Sequence, residues 1–142
     1  MLNIFLMKKT AWTLIVFFLF TACLLVNKEK NKAEIFKQGA VLYSKYGCII
    51  CHSLDGNVVY GPPLNDIFMK KIKVIRNGEE LTVIADREYL KKSITEPRYE
   101  KVLEYENKDM PLTFFSEEEV DILVEYLVAL SEENEDSRNI EK

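Results

Sequence analysis

Two of the chain's 3 cysteines and its single histidine fall within the stretch "YGCIICHSLDG", as Cys48, Cys51 and His52. Cys-x-x-Cys-His is the spacing at which two thiols add across the vinyl groups of a haem, one thioether each. The imidazole that follows then lies under the iron as the proximal ligand. That chemistry needs reduced thiols, and it needs haem delivered outside the cytoplasm. Three other readings compete. A redox disulfide of the thioredoxin kind sits in a βαβ unit, and no such pattern surrounds these residues. A zinc site needs four ligands, and beyond Cys48, Cys51 and His52 the chain offers only Cys23. The third is an isolated structural disulfide.

With one histidine in the chain, a second imidazole cannot be the sixth ligand. A thioether, or an open or water-bound position, remains. Met69, in "IFMKKI", and Met110, in "ENKDMPLTF", are the methionines beyond the motif. Met110 sits in a loop able to carry it to the far face of the ring, and Pro111 stiffens that loop by fixing φ. A lone methionine is otherwise core filling. Met110 is the expected ligand.

An exported protein needs an address, and "MKKTAWTLIVFFLFTAC" has the parts of one. Lys8 and Lys9 form a basic region, Ala11 to Phe20 an apolar one, and Thr21-Ala22-Cys23 a small-residue cleavage point. Met7 is an alternative start. Leu19 to Cys23 resembles the bacterial lipobox, in which the cysteine is lipidated and becomes the mature N-terminus, although Phe20 stands where leucine is usual. An uncleaved helical anchor and a plain cleaved signal are the alternatives. All three place the domain outside the cytoplasm. A lipid on Cys23 also accounts for the odd cysteine. The expected organisation is a signal over 1–22, a lipidated Cys23 and tether over 23–32, one domain over 33–130, and an acidic disordered tail over 131–142.

The elements that must position the site follow from local patterns. Ile35, Phe36, Ala40, Leu42 and Tyr43 recur at helical spacing, and Gly47 is placed to end that helix just before Cys48. "IKVIRNGEELTVIA", 72–85, reads as a β-hairpin turning at Asn77-Gly78. Asp86 is the expected N-cap of a helix ending at Thr95, since Pro97 biases its predecessor away from helix. Arg98 to Met110 reads as irregular loop. Ser116 and Glu119 form a capping box, and Val120, Leu123, Val124, Leu127 and Leu130 make the apolar stripe of a last helix.

Taken in order, "YGCIICHSLDG", "GPPLNDIF", "EYLKKSITEP", "MP" and "SEEEVDILVEYLVAL" resemble a class I monohaem cytochrome c. The likeness is nearest to the cytochrome c domain fused to subunit II of bacterial haem–copper oxidases. The resemblance implies an all-α, small cytochrome c fold, with N- and C-terminal helices crossing over a haem pocket and the hairpin as an insertion. It implies one covalent haem c on Cys48 and Cys51, with His52 and Met110 on the iron. The Pro62 carbonyl is expected to accept a hydrogen bond from the His52 ring. Gly39 and Tyr43 resemble the residues that cross the last helix near Tyr126. No copper domain precedes this stretch, so a free-standing module is expected. The chain's one tryptophan, Trp12, lies in the signal. No tryptophan can therefore meet a haem propionate, and Tyr89 and Arg98 are the candidates.

The formal net charge is −4, and without Lys8 and Lys9 the remaining 17 basic residues face 23 acidic ones, −6. A nucleic-acid partner is not expected, because phosphate backbones need Lys/Arg stripes. The function implied is electron carriage, not catalysis. The carrier would be lipid-anchored, or helix-anchored, on the periplasmic side of a bacterial membrane. It would work between a membrane-bound redox donor and acceptor, a terminal oxidase being one candidate. The alternative is a haem-binding subunit or gas sensor with a labile sixth ligand.

Overall fold

Asn77 and Gly78 both take left-handed backbone angles, with φ 53° and 83°. That is the demand of a type I′ turn, whose twist matches the strands it joins. The flanking strands are β1 (Lys71–Arg76) and β2 (Glu79–Ile84), antiparallel, with Arg76 opposite Glu79 at the turn. Val74 in β1 is fully buried. A third strand, β3 (Lys101–Val102), pairs antiparallel with the other side of β1, giving the order β2-β1-β3. The expected all-α class therefore holds only for the frame of helices, because a small three-stranded sheet is built into it. The segment Arg98 to Met110 is likewise not all irregular. It carries β3 and a 3-10 turn over Leu103–Tyr105.

The computed structural model describes the backbone of residues 30–140. The signal over 1–22, Cys23 and the tether as far as residue 29 lie outside the described residues. Four α-helices occur among the described residues: α1 (30–45), α2 (Cys48–Cys51), α3 (Arg87–Thr95) and α4 (Glu117–Ile140). Residues 30–32, expected as tether, are already helical. No described helix is long and apolar enough to cross a membrane. The unit from Ile35 onward is compact, and it holds the Cys48–His52 motif, the three strands and α2 to α4.

Local caps set the helix ends. The Asp86 side chain accepts the Tyr89 N–H at 2.9 Å and starts α3. Ser116 and Glu119 exchange the two bonds of a capping box: Glu119 N–H donates to Ser116 Oγ at 3.2 Å, and Ser116 N–H donates to Glu119 Oε2 at 3.0 Å. The stripe of α4 is buried as its periodicity requires, through Val120, Leu123, Val124 and Leu127. It is broader than one stripe, since Tyr126 and Val128 are buried too.

α1 packs on α4 through Gly39. A methyl group on Gly39 would lie 2.3 Å from Tyr126 Cβ, a distance no folded structure tolerates. The Tyr126 ring then fits between Phe36 and Tyr43, with centroids 5.0 and 5.8 Å away.

The expected end of the last helix at Leu130, with a disordered tail after it, does not hold. α4 runs on to Ile140. Ser131 is buried; its hydroxyl donates to Leu127 O and accepts the Phe68 N–H, both at 3.1 Å. The Asn134 amide donates to Asn65 O. Polar residues that read as solvated tail instead satisfy the backbone of the 65–68 loop.

Candidate haem site

Gly47 turns the chain out of α1 with φ 72°, a conformation glycine adopts without strain. The next four residues are the single turn α2. Cys48 and Cys51, three apart on that turn, lie on one face. Both thiols are free. Burial, the largest influence, pushes the Cys48 thiol above its ordinary pKa and so favours the protonated thiol. That is the state thioether formation requires. His52 caps α2 in extended conformation, its N–H donating to Cys48 O at 2.9 Å.

The imidazole is held from three sides. His52 Nδ1 lies 2.8 Å from the Pro62 carbonyl, which can only accept, so Nδ1 carries the proton and Nε2 keeps its lone pair. Burial lowers the His52 pKa, partly offset by the Pro62 bond, and the ring is kept neutral. Gly61 forms the seat. A Cβ there would stand 2.6 Å from His52 Cε1 and 2.8 Å from Nδ1. The Tyr43 hydroxyl fixes the backbone by donating to His52 O at 2.6 Å. Two backbone bonds, Gly61 N–H to Cys51 O at 2.7 Å and Leu64 N–H to Ser53 O at 2.9 Å, fold the 53–64 loop onto the motif.

These groups open on one cavity. Its lining includes Cys48, Cys51 and His52, with Met110, Pro111 and Phe115 contributed by the loop before α4. Ile67, Leu90, Ile94, Leu123 and Leu127 supply apolar walls from the body of the fold. Met110 is half-buried at this lining. Met69 is 58 % exposed, has φ 61°, and does not line the cavity. The structure thus brings together Cys48, Cys51, His52, Pro62 and Met110, and leaves Met69 out. Of the two propionate candidates, Tyr89 lines the cavity and Arg98 is exposed outside it.

Other residues at the lining carry weak or no signal in the sequence. Lys101 Nζ donates to Asp109 Oδ1 at 2.7 Å and to Glu106 O at 3.1 Å, pinning the turn ahead of Met110. The Lys108 ammonium stands 5.1 Å from the Tyr60 ring and 5.0 Å from the Tyr105 ring, and so bridges the loop below His52 and the loop before Met110. Gly61, the ring seat, was legible only as the residue ahead of the proline pair.

The residues present fit a covalently bound haem. Two thiols share a helical face, and a neutral imidazole offers Nε2 from a glycine seat that no side chain could share. A thioether lines the same apolar cavity. Such a set defines a c-type haem protein. The cytochrome c family model matches residues 36–131, more than half of the chain, and the chain belongs to that family. Its members bind haem c covalently and transfer electrons, and Cys48, Cys51 and His52 stand at the family's attachment spacing. No curated protein matches the chain.

Proposed function

We propose that this cytochrome c is a one-electron carrier with His52 and Met110 as axial ligands, tethered on the periplasmic side of a bacterial membrane. The observation that carries the ligation is the presence of Met110 in the cavity that the thiols and His52 share, with Met69 outside it. Haem c, when bound, supplies a couple that changes oxidation state with little change in geometry under His/Met ligation.

The chain's own residues have defined tasks. Cys48 and Cys51 anchor the group covalently. Pro62 O fixes the tautomer and orientation of His52, while Gly61 allows the ring to approach the backbone closely. The apolar walls keep water from both ligands, and a thioether raises the potential relative to a second imidazole.

The location rests on the export pattern over 1–22 and on Cys23 in its lipobox-like run. A lipid or helical tether raises the effective concentration of membrane-bound donors and acceptors. The sequence likeness to the domain fused to oxidase subunit II supports a terminal oxidase as the acceptor. Mass spectrometry of the mature N-terminus tests the lipid on Cys23.

The ligation is tested by the absorption spectrum of the oxidised protein, which should show the weak Met-to-iron charge-transfer band at the red edge of the visible range. A protein without that band, whose reduced form binds CO at once, is instead a haem subunit or gas sensor with a labile sixth position.

A further inference from the structure

The loop that carries Met110 ends at Ser116, where α4 begins. Glu119, in the first turn of α4, does more than complete the capping box. Its Oε2 accepts the Ser116 N–H at 3.0 Å, while Oε1 accepts the Tyr46 hydroxyl at 2.6 Å and the Lys45 ammonium at 3.3 Å. Tyr46 stands two residues ahead of Cys48. Its ring meets Phe115 edge-on, with centroids 4.6 Å apart. Tyr46 and Phe115 both line the cavity that holds Met110 and the thiols.

One carboxylate therefore bonds in two directions. One oxygen holds the end of the Met110 loop, and the other holds the segment that leads into Cys48. Capping α4 needs only the first of these. The bond to Tyr46 is short and charge-assisted, the stronger kind, and it adds nothing to the helix cap. It does tie the two halves of the site together across 73 residues of chain.

We infer that Tyr46 and Glu119 are positioning residues for Met110. The tie fixes the far end of the Met110 loop against the haem-attachment segment, and so sets how readily the thioether leaves the place opposite His52. The inference rests on the reading of Met110 as sixth ligand.

The test uses the oxidised holoprotein and two readouts, the charge-transfer band and the affinity for added imidazole, which competes with the thioether. Tyr46→Phe keeps the ring, its packing on Phe115 and the whole capping box, and removes only the bond. It should bind imidazole roughly ten- to hundredfold more tightly than the wild type, the scale expected for one lost hydrogen bond to a charged group, with a weakened band. Glu119→Gln leaves one acceptor oxygen for three donors and should shift affinity the same way. Combining the two should add little, since both act on one bond. Ser116→Ala removes the Oγ cap but keeps the backbone bond to Glu119. It should lower the thermal midpoint and leave imidazole affinity unchanged. If Tyr46→Phe behaves like Ser116→Ala, with a lower midpoint and wild-type imidazole affinity, the tie is structural only and the inference is wrong. Additive effects of the two variants also overturn it. If the wild type lacks the band, the Met110 reading fails first and this inference falls with it.

Discussion

Tyr126 leaves no room for a side chain at Gly39: a Cβ there would approach Tyr126 Cβ to 2.3 Å and its Cγ to 2.7 Å. Both atoms belong to the rigid base of a buried ring and cannot swing aside. Gly39→Ala should therefore destabilise the fold although alanine is the better helix former by about 1 kcal/mol. Overpacking of this kind typically costs about 1–3 kcal/mol, and the closeness here points to the upper end. Chemical denaturation checks it; a variant as stable as the wild type means that the helices do not cross at this contact.

Gly61→Ala puts the same problem under the ligand. The added methyl would meet His52 Cε1 and Nδ1 at 2.6 and 2.8 Å, so the ring must tilt away from Pro62 O. Covalent haem content per polypeptide should fall, and what holoprotein forms should have altered axial-ligand bands. A wild-type spectrum at wild-type yield would show that the ring does not depend on this seat.

The two methionines separate cleanly. Met110→Ala should abolish the charge-transfer band entirely and lower the reduction potential, because the thioether is the potential-raising ligand. Met69→Ala, at an exposed site outside the cavity, should change neither. Potentiometry with optical monitoring reads both effects at once, and the reverse pattern would sink the assignment.

Acid should loosen the junction of α1 and α4. The Tyr46 hydroxyl, the Ser116 N–H and the Lys45 ammonium hold the Glu119 carboxyl down to about 2, from an ordinary 4.5. A depressed carboxylate contributes stability that is fully present above its unfolded pKa and is lost as pH falls through the folded one. The loss is thus expected between pH 4.5 and about 2. In thermal melts across that window, Glu119→Gln should show a shallower fall of midpoint with acidity than the wild type. Parallel slopes for the two proteins would argue against the bonds.

Much of this was legible locally. Cys-x-x-Cys-His, the Asn77-Gly78 turn, the Asp86 cap and the Ser116–Glu119 box each declare themselves within a few residues, and each lies where its pattern puts it. What escaped the sequence depends on partners far along the chain. β3 is two residues long, too short for any periodicity, and exists only because β1 offers it an edge. Ser131 and Asn134 read as solvent-facing until the 65–68 backbone is brought beside them. Glu119 announces its role in the cap but not its bond to Tyr46, and nothing in "GPPL" says that the glycine seats an imidazole. Arg98, a cation suited by type to a propionate, lies exposed outside the cavity lining, which its type alone does not say.

The reach of α4 has a consequence for how the protein comes into being. Its bonds to Tyr46 and to the backbone of Asn65 span 73 and 69 residues, and they come from a part of the chain synthesised well after the motif. Loops that long close late, since their entropy must be met before any contact rewards it. An emerging chain exposes Cys48 and Cys51 well before the helix that completes the cavity arrives. The fold thus leaves an interval in which the thiols are reachable while the polypeptide is still open, and α4 ends that interval by docking.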